Sequence, residues 1–325
     1  MQAATQARQR IVSTAPIDRV AIEILEKFAP VETSPAPDED TVLGMLDGAV
    51  ALVCRGEGKV TARMIAACPT LRVVGRTGVG YDSVDVAALT ARRIPLVYAP
   101  VSGFAVAEGA MALLLALVKK ILLCDSVVKA GQWNRRYEFQ TGDMTGHTFG
   151  IVGLGRIGMH LARLARPFEM TILGYDPYVP PEAAREGGVE PVSLEELLAR
   201  SDYVSLHLPL NPETRGLINR ARIETMKPGA ILVNTARGGV IESLDVLADA
   251  LESGRLSAVG LDVFPAEPPD SSHRIFRHPN LLCAPHVVGT SEMAMERIYR
   301  SMATDMLAVL ENRQPKFCVN PQVFG

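Results

Sequence analysis

The sequence predicts an α/β protein built on two parallel sheets, and three observations carry that expectation. Short apolar runs alternate with helical patterns along almost all of its 325 residues, the pattern of right-handed crossovers between parallel strands. Hydrophobic residues reach 48% while aromatics make up only 5%. The apolar mass is therefore Ala, Val, Leu and Ile, as strands covered by helices on both faces require. The length exceeds one average domain, and at ~300 residues a folded chain buries roughly 75% of its unfolded surface, enough for two cores.

In chain order, strands are expected near Arg10–Ser13, Ala49–Cys54, Leu71–Gly75 and Pro95–Tyr98, with helices between them. A long apolar helix follows from about Ala105 to Val128, its stripe widened beyond one face by Leu113, Leu114, Leu115 and Leu117. After a loop at Gly131 and Trp133 a second series of six strands is expected: Thr148–Val152, Thr171–Tyr175, Tyr203–Leu208, Ala230–Asn234, Ala258–Asp262 and Leu281–Ala284. Six strands in this order form a complete dinucleotide domain. A closing helix, Glu292–Leu310, is placed back on the first domain, which makes that domain discontinuous: residues 1–101 with 289–325, around an inserted 102–288.

Charge and composition narrow the function classes. A net charge of −3 leaves no general basic field for a nucleic acid backbone, so small molecules are the expected partners. The five cysteines, Cys54, Cys68, Cys124, Cys283 and Cys318, are an odd number without C-x-x-C spacing. They read as reduced, mostly buried thiols, with no disulfide framework and no metal site. The polar opening through Arg10 lacks the apolar stretch of a secretory signal, and no apolar run is long enough to span a bilayer. A cytoplasmic protein is expected.

The clearest motif is Gly153-Leu154-Gly155-Arg156-Ile157-Gly158, between the strand Thr148–Val152 and a helix carrying Leu161, Leu164 and Ala165. Gly153 permits the tight turn, Gly155 lets the backbone approach a pyrophosphate, and Gly158 lets helix and strand pack closely. The glycines alone also occur in ordinary strand-turn-helix units. Here Asp176 ends the next strand, 18 residues after Gly158, where its carboxylate can accept from both ribose hydroxyls. A 2′-phosphate would meet like charge there, and Pro177 and Tyr178 offer no cation to offset it. NAD is therefore expected over NADP.

Three consecutive strand ends then carry charged groups. Arg237 follows Ala230–Asn234, Asp262 and Glu267 follow the next strand, and His286 follows the last. Ligands of open α/β sheets bind at the carboxyl ends of strands. Hydride transfer to a 2-keto acid needs a cation for the carboxylate and carbonyl, a proton donor for the forming alkoxide, and a group that tunes that donor. Arg, His and Glu supply these in order. Taken singly each has a plainer reading: a helix cap for Arg237, a Pro-bounded loop residue in Glu267, a hydrogen-bonded loop imidazole in His286.

The segments Gly153–Gly158, Asn234-Thr235-Ala236-Arg237-Gly238-Gly239, Gly260–Pro268 and Pro285-His286-Val287-Val288-Gly289-Thr290 resemble the ordered signatures of the D-isomer-specific 2-hydroxyacid dehydrogenases, in particular the D-3-phosphoglycerate dehydrogenase-like members. The resemblance implies an NAD-binding Rossmann domain inserted into a discontinuous flavodoxin-like substrate domain, a cleft between them, and a homodimer built largely around the NAD domains. It assigns Arg237 as substrate anchor, His286 as proton donor and acceptor, and Glu267 as the partner of His286. Asp262 falls at the nicotinamide amide, and His207, Pro209, Thr214, Thr235 and Ala236 on the cofactor wall. The stretch Val74–Asp85 resembles the substrate loop, whose backbone N–H groups at Gly78, Val79 and Gly80 receive the carboxylate.

Departures from the pattern lie toward the substrate: Gly103 in place of a common Asn, Gly109 in place of a His, Ser83 in place of an Asn. Phosphoglycerate-type, glyoxylate, hydroxypyruvate and lactate-like substrates all remain open. Arg76, Arg135 and Arg136 are candidates for a further anionic group or for plain surface charge. If the substrate is phosphoglycerate-like, a short form without a regulatory domain after Gly325 is expected. An NAD-sensing corepressor is the alternative from another class, and the Gln that formate dehydrogenases carry at the position of Glu267 weakens that third reading.

Overall fold

The computed structural model describes residues 9–56 and 58–325, so most of the polar opening considered for a secretory signal lies outside the described residues. The chain divides into two compact units, one made of the residues up to Ser102 with Ser291–Gly325, the other of Gly103–Thr290.

The first unit holds a parallel sheet of β1 (Arg10–Ser13), β2 (Val31–Thr33), β3 (Ala49–Cys54), β4 (Val73–Arg76) and β5 (Leu96–Tyr98), in the order β2-β1-β3-β4-β5. This is the flavodoxin-like order. All six residues of the central β3 are buried, as a strand covered on both faces must be. The edge strand β2 carries the sequence Val-Glu-Thr, with none of its three residues buried, and too short a run to announce itself. The fourth strand begins two residues later than Leu71, because Leu71 closes the preceding helix by donating to the Cys68 carbonyl.

The helix Glu292–Leu310 packs in this unit against the helix Arg19–Leu25 and against β4 and β5. Ser291 caps it by accepting from Ala294 N, satisfying one of its free N–H groups. Ile298, Met302, Met306 and Val309 are buried at helical spacing. Gly75 lets the helix press onto β4, since a Cβ there would stand 2.2 Å from Met306 Sδ.

The second unit holds seven parallel strands: β6 (Thr148–Val152), β7 (Thr171–Tyr175), β8 (Glu190–Pro191), β9 (Tyr203–Leu206), β10 (Ala230–Asn234), β11 (Leu256–Leu261) and β12 (Leu281–Cys283). Their order is β12-β11-β10-β9-β6-β7-β8, a Rossmann order with one strand added beyond the usual six. The order reverses between β6 and β9, the switch point at which such sheets take ligands. The strand missing from the sequence reading is β8, only two residues long, with a proline at the sheet edge where a ladder donor is not needed.

The single helix expected from Ala105 to Val128 is two helices, Gly103–Val118 and Ile121–Lys129. Lys120 between them is left-handed, φ 49°, and the Lys119 ammonium donates to the Gly142 carbonyl at 2.6 Å and pairs with Asp143. Before the break the helix is buried through Ala107, Ala110, Met111 and Leu114; after it, Ile121, Leu122 and Val128 are exposed. No glycine or proline marks the break. The thiols also differ from expectation: all five cysteines are free, but only Cys54 and Cys68 are buried, and Cys283 is exposed. Among the described residues no helix is long and apolar enough to cross a membrane.

Candidate active site

The glycine turn sits at the switch point. Gly153 has φ 97° and donates to the Tyr175 carbonyl at 2.8 Å; a Cβ there would lie 2.5 Å from the His207 carbonyl oxygen. At Gly158 a Cβ would come within 1.9 Å of the Gly153 carbonyl oxygen, so the helix Arg156–Ala165 touches the turn itself. Over Gly155 the space is open, and no side chain caps the helix that begins after it. Ile157 packs beside Gly103. Asp176, at the end of β7, is tied to the turn: its Oδ2 accepts from Leu154 N at 2.8 Å and its Oδ1 from Tyr178 N at 2.9 Å.

Two buried atoms at the ends of β9 and β10 lack a partner, His207 Nδ1 and Thr235 Oγ1. Their residues directly follow the paired Leu206 and Asn234, so both lie at the ends of neighbouring strands. Full burial drives the His207 imidazole down to about 3, so it is neutral, and its Nε2 is 2.8 Å from Ser205 Oγ. A buried polar atom left unpaired costs about 1–3 kcal/mol. A polar ligand lying along this crest would remove that cost. The open space at Gly155, the Asp176 carboxylate and the two orphaned atoms therefore fit a dinucleotide. Thr214 is different: its hydroxyl donates to the Pro209 carbonyl at 2.6 Å and accepts from Asn211 N at 2.9 Å, so it shapes the loop after β9.

The ends of β10, β11 and β12, three neighbouring strands, bring the charged residues together. His286 Nδ1 stands 2.8 Å from Glu267 Oε2, and His286 holds a left-handed backbone, φ 58°. Such a conformation is uncommon outside glycine and persists at functional sites where the surroundings fix it. Glu267 Oε1 accepts from Phe264 N at 3.0 Å. Burial would raise the Glu267 carboxyl, but the His286 hydrogen bond, the Phe264 N–H and the charge of Arg237 hold it below the ordinary glutamate value.

Asp262, 2% exposed, accepts from Val287 N at 2.9 Å and from Val288 N at 3.3 Å. Burial raises its carboxyl pKa against the pull of those two N–H groups. It thus anchors the His286 loop to β11. Arg237 is extended and half-buried, and its Nη1 donates to the Ala236 carbonyl at 2.7 Å. Gly238 after it lies so close that a Cβ would meet the Phe264 carbonyl carbon at 1.9 Å, which sets the Arg237 loop against the Glu267 loop.

In the other unit, the loop after β4 turns at Gly78, φ 113°, with Val79 41% exposed. Ala99 N donates to the Gly78 carbonyl at 3.0 Å, and Arg76 braces the loop through the carbonyls of Gly80 and Cys54 at 2.9 and 3.2 Å. That guanidinium thus ties its own loop to the end of β3. Arg135 pairs with Glu138, and Arg136 lies over the rings of Trp133 and Tyr137.

Several supporting groups escaped the sequence reading. Asn234, fully buried at the end of β10, donates from Nδ2 to the Arg237 carbonyl at 2.9 Å and accepts from Ala236 N at 3.0 Å; an amide closing an apolar strand is the signal that could have found it. Ser205, the partner of His207, interrupts β9 in the same way. Gly109, which departs from the family pattern in sequence, has a steric part as well: a Cβ on it would be 2.4 Å from Val288 Cβ and 2.8 Å from the Val288 carbonyl oxygen. The His286 loop rests on that bare helix surface.

Comparison with known proteins bears on the whole of this arrangement. Residues 111–288 match the family model described as "D-isomer specific 2-hydroxyacid dehydrogenase, NAD binding domain". The D-3-phosphoglycerate dehydrogenase of Methanocaldococcus jannaschii is 39% identical over 313 residues, covering 96% of this chain and 59% of that protein. The chain thus spans about three-fifths of the length of that relative. Among solved structures, D-lactate dehydrogenase from Aquifex aeolicus, complexed with NAD and lactic acid, has a TM-score of 0.88 at 28% identity, covering 96% of this chain and 99% of that one. A glyoxylate reductase from Paecilomyes thermophila has a TM-score of 0.87 at 29% identity, covering 97% and 99%. With a parallel Rossmann sheet, a glycine turn fit for a dinucleotide and a family match across more than half its length, the chain belongs to the D-isomer-specific 2-hydroxyacid dehydrogenase family.

Proposed function

We propose that this chain transfers a hydride reversibly between NAD and a small 2-hydroxy acid, converting it to the 2-keto acid. The observation that carries the reading is the 2.8 Å approach of His286 Nδ1 to Glu267 Oε2 at the strand-end crest of the NAD-binding unit. When bound, the nicotinamide supplies the hydride in reduction and receives it in oxidation. With Nδ1 held by Glu267, His286 has Nε2 left to give a proton to the substrate oxygen in reduction and to take it back in oxidation. Arg237 supplies a fixed guanidinium for the substrate carboxylate and for the charge developing on the carbonyl. The carboxylate donors at Gly78, Val79 and Gly80 form a separate part of the proposal, supported by the left-handed turn at Gly78.

On the cofactor side, Gly153, Gly155, Arg156, Ile157 and Gly158 take the pyrophosphate at the helix N-terminus, and Asp176 takes the ribose. His207, Pro209, Thr214, Thr235 and Ala236 form the wall, and Asp262 meets the carboxamide. A homodimer is part of the same reading, supported by the exposed Ile121, Leu122, Val128, Trp133 and Tyr137 of the second unit; sedimentation velocity tests it. The free thiols fit a reducing, cytoplasmic setting.

Relatives named for phosphoglycerate, lactate and glyoxylate support a small 2-hydroxy acid as the substrate class. The test is purified protein with NADH and a panel of 3-phosphohydroxypyruvate, hydroxypyruvate, glyoxylate and pyruvate, followed at the nicotinamide absorbance. Turnover of at least one is expected. NADH binding with turnover of none would replace the dehydrogenase by an NAD-sensing protein.

A further inference from the structure

We propose that Glu213 is a second specificity-determining carboxylate of the dinucleotide site, held by Tyr178 so that it acts with Asp176 to disfavour a 2′-phosphate. The inference rests on the dinucleotide reading above. It starts from a tyrosine that spans two loops. Tyr178 donates its backbone N–H to Asp176 Oδ1 at 2.9 Å and its hydroxyl to Glu213 Oε2 at 2.7 Å. The first contact belongs to the loop after β7, the second to the loop after β9, and β6 with its glycine turn lies between those strands in the sheet.

Tyr178 is 77% exposed, so packing does not account for its place. Its hydroxyl, in contrast, has a defined partner. The hydroxyl pKa is raised, first by the hydrogen bond and charge of Glu213 and further by the charge of Asp176, so both carboxylates act on this one side chain. On the other side the loop that presents Glu213 is closed by its own hydrogen bonds. Asn211 Oδ1 accepts from both Glu213 N and Thr214 N at 2.9 Å, and the Thr214 hydroxyl closes back on the Pro209 carbonyl. The loop's own cation, Arg215, is directed to the β10 loop, where its Nη1 stands 3.5 Å from the position a Cβ on Gly239 would take.

Two negative charges therefore flank the place where a ribose bound to Asp176 would carry its 2′-substituent. A hydroxyl is indifferent to the second charge, and a phosphate is repelled by it. Across a water-like dielectric, at a separation on the order of 8 Å, one carboxylate acting on a phosphate dianion changes affinity about fivefold. The effect should fade with salt, because both groups face solvent.

The test compares 5′-AMP with adenosine 2′,5′-bisphosphate by calorimetry, and NADH with NADPH by nicotinamide fluorescence, for the natural protein, Glu213→Gln and Tyr178→Phe at low and high ionic strength. Glu213→Gln should improve the bisphosphate relative to AMP about fivefold at low salt, with less change at high salt. Tyr178→Phe, which frees Glu213 without neutralising it, should move the same ratio in the same direction by less. An unchanged ratio in Glu213→Gln, or equal shifts for both nucleotides, would overturn the proposal while leaving the dinucleotide site standing. Failure of the natural protein to bind AMP or NADH would overturn the dinucleotide reading itself.

Discussion

His286 Nδ1 and Glu267 Oε2 lie 2.8 Å apart although 19 residues separate them in sequence, because β11 and β12 are neighbours and each residue follows its strand. A carboxylate at that distance holds the imidazole by a charge-assisted hydrogen bond and leaves Nε2 for the proposed proton transfer. Replacing Glu267 by Gln keeps the shape and removes the charge, so kcat for keto-acid reduction should fall by about tenfold, the worth of one hydrogen bond to a charged group, while KM changes less. The measurement is kcat and KM for both proteins with one good keto acid, and an unchanged kcat would remove Glu267 from the proposed proton-transfer pair.

The same pair has a stability consequence. The folded-state pKa of Glu267 is depressed, so its contribution is complete above the unfolded glutamate value and is lost as pH falls through the folded one. Glu267→Gln should therefore melt at a lower temperature than the natural protein at neutral pH. The two melting curves should converge in acid below the ordinary carboxylate range. A gap that persists there would mean that the loss is one of packing.

Asp262 has the opposite sign. Burial raises its carboxyl, so the ionised form carries a cost that is absent in acid and grows as pH rises from the ordinary aspartate value through the raised one. Asp262→Asn keeps an oxygen to accept from Val287 and Val288 while removing the buried charge. Its melting temperature at neutral pH should equal or exceed that of the natural protein, with the difference shrinking in acid. NADH affinity should fall at the same time. A large loss of stability at neutral pH would show that Asn does not hold the His286 loop.

Gly109 offers a steric test of how that loop is supported. An Ala there would place Cβ 2.4 Å from Val288 Cβ and 2.8 Å from its carbonyl oxygen, distances that force a shift. The backbone of Val288 is held to Asp262, so strain passes to His286 two residues earlier. Overpacking of this kind typically costs 1–3 kcal/mol. Gly109→Ala should lower both the melting temperature and kcat, and unchanged kinetics would show that the loop yields without moving His286.

Much of this is legible in the sequence, because the informative signals are local. A strand running into Gly153-Leu154-Gly155-Arg156-Ile157-Gly158 has few other solutions, since Gly158 touches the turn through atoms five residues away. The long apolar runs of β3 and β10 could only be buried strands. What escaped lies at sheet edges or in contacts set by tertiary neighbours. The edge strands β2 and β8 have too few residues for a period. The break at Lys120 coincides with contacts of Lys119 to Gly142 and Asp143, which no helical pattern records. Arg76 reads as a candidate for an anionic group or as plain surface charge, and its bracing contacts to the carbonyls of Gly80 and of Cys54 at the end of β3 are set by tertiary neighbours that the sequence does not record.

Cofactor choice gives the last prediction, because Asp176 has a structural part beside the one proposed for it. Its oxygens accept from Leu154 N and Tyr178 N, so the carboxylate joins the glycine turn to the end of β7, in addition to the proposed contact with a ribose. Asp176→Ser removes both functions. Loss of the two acceptors leaves partly exposed N–H groups to water and should cost on the order of 1 kcal/mol in stability. Loss of the charge removes repulsion of a 2′-phosphate, so NADH should weaken while NADPH improves relative to it, by about tenfold for a carboxylate close to the phosphate. The two effects separate by measurement: thermal melting without nucleotide reports the turn, and the NADPH-to-NADH ratio of kcat/KM reports the charge. A lower melting temperature with an unchanged ratio would mean that Asp176 is a brace for the turn and that the ribose is read elsewhere.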